Sequence, residues 1–130
     1  MMAYPPLIIL VVTLHYLFIA AAIFGGVAVL RRPWLAFIHI PIFVWAVLIA
    51  FTPLGCPLTI LEKSLRIRAG WVVYSGGFLS RYVDPGLATL GLGALVRYFG
   101  YLVLGLNVVL YGMLIARHMS KPVRTNGAID

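Results

Sequence analysis

The sequence predicts an all-α integral membrane protein with three transmembrane helices and a short interfacial amphipathic helix, read as a single membrane domain over residues 1–130. Three observations predict it. Hydrophobic residues make up 63% of the chain and charged ones 10%, whereas a soluble domain carries roughly 45–50% and 25%; too little polar surface remains to cover a water-soluble core. Oily runs recur at lengths that cross ~30 Å of hydrocarbon at 1.5 Å per residue. Between the second and third lies a polar midsection whose own helix-forming stretch is too short to span.

The first run, residues 7–30, has 24 residues and no charge. Pro5 and Pro6 precede it, where proline suits a helix start. A cleaved signal peptide would need a basic leader and a shorter apolar core, and neither is present. Arg31-Arg32-Pro33 stops this helix, and Trp34 opens the second span, residues 34–51, with Pro41 inside it as a kink or loosened turn. The short connection makes the two helices antiparallel neighbours. In the midsection, Thr59-x-x-Glu62 has the capping-box pattern, Glu62 and Arg66 are spaced i,i+4, and Gly70 suits a helix stop. These predict a helix over residues 60–69. Ile60, Leu61, Leu65 and Ala69 are expected to face lipid or protein, with Lys63, Arg66 and Arg68 toward water. Residues 71–78 read as a loop, because a lone strand in lipid leaves its backbone unsatisfied. The third span is expected over residues 98–115, with 87–96 as a lead-in or an extension of the same helix. A basic tail follows over 117–130, carrying Arg117, His118, Lys121 and Arg124.

Ten Lys/Arg against three Asp/Glu give a net charge of +7. In this setting the basic residues read as orientation determinants and headgroup contacts rather than as a nucleic-acid surface. Three spans divide them five against five, and the absence of basic side chains from residues 1–6 favours an outside N-terminus. One cysteine permits no internal disulfide.

Ionisable or polar residues within spans are functional candidates. His15 and His39 suggest axial ligands for a haem or a chlorophyll. From the helix ends, His15 lies ~12 Å from one face and His39 ~8 Å from the other, so about 15 Å separates them along the membrane normal; one haem iron cannot take both. A histidine linked to a neighbouring helix is the plainer expectation. Asn107, about 14 Å into the third span, matches the depth of His15, which predicts a His15–Asn107 hydrogen bond. Ala22 and Gly26, and the sevenfold stripe Gly91, Gly105 and Gly112, are expected to be helix-packing positions, internal before external. Cys56 reads as a nucleophile, a redox thiol or a palmitoylation site. A nucleophile needs a base, and His15 is the histidine on that side. Glu62 with Lys63, Arg66, Arg68 and Arg81 marks an interfacial headgroup or anion site, or ordinary surface pairing. Nucleotide, zinc and zinc-protease motifs are absent from the sequence.

The layout resembles a small bacterial membrane-protein family known as domain of unknown function 2784. The resemblance rests on Leu14-His15, on Arg32-Pro33-Trp34-Leu35-Ala36 with His39, on Cys56-Pro57-Leu58-Thr59 with Leu61-Glu62, and on Tyr74-Ser75-Gly76-Gly77-Phe78. It covers most of residues 10–115. It implies that these segments form one shared unit and assigns no residue a role. The resulting expectation is a multi-pass protein of the bacterial inner membrane without catalytic activity, packed as an accessory subunit against other membrane-protein subunits, with a respiratory or photosynthetic complex as one kind of host. The alternatives are a haem- or chlorophyll-binding protein using His15 or His39, and a small membrane enzyme or headgroup binder around Cys56 and Glu62.

Overall fold

The computed structural model describes residues 4–91 and 94–121; the part of the basic tail from residue 122 onward lies outside them. Helix α1 runs Tyr4–Arg31, and a 3-10 turn, Pro33–Leu35, joins it to α2, Ala36–Phe51. Helix α3 runs Pro57–Arg68, α4 Phe78–Tyr82, α5 Asp84–Thr89 and α6 Ala94–Met119. No strand occurs among the described residues. Among the described residues, three segments are long and apolar enough to cross a membrane: Tyr4–Arg31, Pro33–Phe51 and Tyr98–Met119.

α1 is the central element and packs on α2, α3 and α6. Its buried residues are Ile8, Val11, His15, Ala22, Gly26 and Val29, a stripe at three- and four-residue spacing along one face. Helix registers follow from close approaches. Gly100 of α6 faces Ala50 of α2, and Tyr111 faces His39. Both pairs sum to the same number, so α2 and α6 are antiparallel. Asn107 reaches Ala22, and Leu110 reaches Gly26, so α1 and α6 run parallel. The topology is up, down, up.

The punctuation is legible residue by residue. α1 ends at Arg31, and Arg32 takes an extended conformation (φ −135°), as the residue before a proline prefers. α3 ends in a Schellman arrangement: Gly70 sits at φ +70°, its N–H donates to Ile67 O, and the Trp71 N–H donates to Arg66 O. Residues 71–77 form the expected loop.

Two expectations change. α3 starts at Pro57 with Cys56 as its N-cap and no side-chain cap bond. Thr59 and Glu62 therefore make no capping box. Proline already sets the first turn, and the Glu62 carboxylate is engaged elsewhere. On α3, Thr59 and Glu62 are buried, while Ile60 and Leu61, expected to face lipid or protein, are exposed. A surface in contact with lipid rewards this, since lipid is as apolar as leucine. Finally, residues 87–96 are not a continuous extension of the last helix, because α5 stops at Thr89 and Gly91 takes φ +72°.

Candidate functional site

Two polar clusters sit side by side where α3 and the 71–82 segment cover α1. In the first, Glu62 is fully buried. Its Oε1 accepts from Arg66 Nε at 2.9 Å and from the Tyr82 hydroxyl at 2.6 Å, and its Oε2 accepts from the Tyr74 hydroxyl at 2.9 Å. Arg66 also donates through a terminal nitrogen to the Tyr82 oxygen. Burial raises both tyrosine pKa values above the ordinary range, and the hydrogen bonds to Glu62 push the same way, so both phenols stay protonated donors. For Arg66, burial works against the charge, but bonds to Glu62 and Tyr82 outweigh it and hold its pKa above the usual value. This network ties α3 to the loop and to α4.

Glu62 and Arg66 are turned inward to each other. Lys63 donates to Gly76 O at 2.7 Å and lies 4.9 Å over the Tyr74 ring. Arg68 and Arg81 are exposed, and Arg81 also approaches the Tyr74 and Tyr82 rings.

In the second cluster, His15 Nε2 lies 3.5 Å from Cys56 Sγ. The imidazole is 5% exposed and stacks on Phe78, with ring centroids 3.8 Å apart and planes 20° apart. Its Nδ1 is buried without a hydrogen-bond partner among the described residues. Phe78 is brought there by the Gly76-Gly77 turn, where Gly76 adopts φ +81°. His15 and Cys56 both open onto a cavity of about 590 Å³. Its walls are largely apolar, including Phe18, Ile19, Ala46 and Phe99, and its polar side chains include Thr59 and Lys63. At the α1–α6 register, the residue opposite His15 is Gly100, which also lines the cavity.

The predicted His15–Asn107 hydrogen bond is not made. Asn107 Nδ2 instead donates to Ala22 O and Val103 O, both at 2.9 Å. α6 begins at Ala94 rather than at residue 98, so Asn107 sits deeper than expected, level with Ala22. That is seven residues, or about 10 Å, beyond His15. The Asn107 Oδ1 is buried without a partner, and a Cβ on Gly26 would lie 2.7 Å from it. Ala22 and Gly26 are buried in this contact. Gly105 and Gly112 face outward with nothing within 4 Å of an added Cβ, and Gly91 lies before α6 with equally open surroundings. The sevenfold stripe is thus not an internal packing face; Val103 and Asn107 mark that face, about 200° around the helix from Gly105.

His39 is 4% exposed. Its Nδ1 lies 2.8 Å from the Tyr111 hydroxyl oxygen, and the ring lies against Gly25 of α1. This slot between three helices suits an interhelical link and leaves a macrocycle no approach to the ring. Sequence reasoning passed over Tyr74, Phe78 and Tyr82 as site residues. The clustering of aromatics around Gly76-Gly77, twelve to twenty residues beyond a lone glutamate, was the available signal.

A family model described as "Protein of Unknown function (DUF2784)" matches residues 7–113. No curated protein and no solved structure is significantly similar to the chain.

Proposed function

The chain belongs to the DUF2784 family, whose description names no activity, and on the geometry we propose that it is a membrane-embedded binding protein for an amphiphile. The observation that carries this reading is the composition of the cavity. Its volume, about 590 Å³, lies within the range of small-molecule pockets. Its apolar walls suit a hydrocarbon chain, and its lining includes the polar side chains His15, Cys56, Thr59 and Lys63. Lys63 uses one ammonium hydrogen on Gly76 O and keeps others for an anionic or carbonyl-bearing head. A multi-pass placement in the bacterial inner membrane, with α3 at the membrane surface, fits three spanning segments and the exposed Arg68 and Arg81.

Ala46→Phe, which projects a ring into the cavity, is expected to lower the bound amphiphile at least tenfold. Native mass spectrometry of protein extracted in mild detergent reads the bound mass. Phe37→Ala, at an 86% exposed position on α2, is expected to leave it unchanged. Equal occupancy in wild type and Ala46→Phe would remove the reading.

The accessory-subunit role has one observation in its favour, the outward-facing Gly105 and Gly112 on α6, which would let a transmembrane helix of another subunit approach closely. On that reading, Gly105→Leu with Gly112→Leu releases a co-purifying subunit while the protein stays folded. Unchanged co-purification would discard it.

A further inference from the structure

We propose that Cys56 is an acyl-accepting nucleophile with His15 as its base, and that the amphiphile entering the cavity is a long-chain acyl thioester. This rests on the binding reading above and names its ligand class. Four features converge on one sulfur. Cys56 Sγ lies 3.5 Å from His15 Nε2. His15 is buried, and stacking on Phe78 restrains the plane of its ring. Cys56 is the N-cap of the twelve-residue α3, and the N–H groups of Leu58 and Thr59 in its first turn have no intrahelical acceptor, so the helix end favours negative charge on sulfur and on a developing oxyanion. Both Cys56 and His15 line a cavity with room for a hydrocarbon chain.

The second polar atom of His15 strengthens the assignment. When Nε2 accepts the thiol proton, Nδ1 already carries a hydrogen, and Nδ1 is buried with no partner among the described residues.

The step balances without an oxidant or reductant. The Cys56 thiol proton passes to His15 Nε2 as sulfur attacks the acyl carbonyl carbon. The carbonyl π electrons move to oxygen and return as the carbon–sulfur bond to the donor breaks. The leaving thiolate takes the proton from His15 Nε2. The products are a thioester on Cys56 and a free thiol.

The test uses the full chain in nanodiscs with a long-chain acyl-coenzyme A bearing a terminal alkyne. Hydroxylamine-labile label is expected on Cys56 in the wild type and none in Cys56→Ala. His15→Gln is expected to slow labelling by roughly 100-fold, the scale of a lost general base. Ala46→Phe keeps the dyad and narrows the cavity; it is expected to slow acylation at least tenfold while Cys56 still reacts with iodoacetamide. A diazirine-bearing fatty acid reports binding separately. Labelling at the wild-type rate in His15→Gln or in Ala46→Phe overturns the proposal. So does an unlabelled wild type whose cavity residues crosslink to the fatty acid, which would leave the binding reading standing. Absence of both label and crosslink overturns the two together.

Discussion

Glu62→Ala is expected to destabilise the folded protein by about 3–5 kcal/mol, the scale for removing one partner of a buried ion pair. The carboxylate is completely buried and is the common acceptor of Arg66, Tyr74 and Tyr82. Without it, two phenols and a guanidinium lose their acceptor in a site that water reaches poorly. Each unsatisfied buried donor costs about 1–3 kcal/mol. Arg66 is the partner best able to escape, since its side chain is 13% exposed, so the loss falls toward the lower end of the range. Glu62→Gln is expected to cost less, about 1–3 kcal/mol. It keeps one oxygen acceptor but turns an amide toward groups that also donate. Equilibrium unfolding in mixed micelles checks both. A Glu62→Ala loss below ~0.5 kcal/mol, the range of an ordinary surface substitution, would mean that this network does not hold the midsection. The same variant bears on function, because Tyr74 and Tyr82 position the loop that sets Phe78 against His15. Loss of Glu62 is therefore expected to weaken cavity occupancy as well.

The spans were legible because composition and run length carry that information directly. The turn at Arg31-Arg32-Pro33 and the stop at Gly70 were legible because each depends on one residue's backbone preference. The inward faces were not. α1 is oily all round, so hydrophobicity does not distinguish its buried stripe; in lipid that stripe is marked by the small and polar members His15, Ala22 and Gly26. On α6 the same reasoning chose the wrong stripe. Gly105 and Gly112 are small, but Asn107 is the residue whose polar head must be buried. Ranking polar side chains above glycines would have turned the helix correctly. Glu62 was misread for a related reason. The capping-box pattern is local and satisfied by two residues, whereas the carboxylate's real donors, Tyr74 and Tyr82, come from twelve and twenty residues away. Local sequence holds no signal for that choice. His15 was already the candidate base for Cys56 by its side of the membrane, and the packing of α3 on α1 brings the two within 3.5 Å.

Gly25→Ala is the second change expected to have a large effect, and the size of its side chain is no guide to it. A Cβ at Gly25 would lie 2.2 Å from His39 Cδ2, 2.8 Å from Nε2 and 3.0 Å from Cγ. Relief by rotation of a flexible side chain is not available, because all three atoms belong to one rigid ring. That ring is anchored at Nδ1 by Tyr111 at 2.8 Å and stacks with Tyr111 and Phe43. Either His39 abandons Tyr111 or α1 and α2 separate. Overpacking of a fixed interior costs about 1–3 kcal/mol, occasionally more, and this contact belongs at the upper end. Gly105→Ala provides the contrast. Nothing lies within 4 Å of its Cβ, so helix propensity alone predicts a gain of up to ~1 kcal/mol. The double substitution Gly25→Ala with His39→Ala removes the clashing ring and is expected to cost less than the sum of the single changes, by about 0.5–3 kcal/mol. Additive losses in that cycle, or a Gly25→Ala protein as stable as Gly105→Ala, would show that His39 does not key the three helices together.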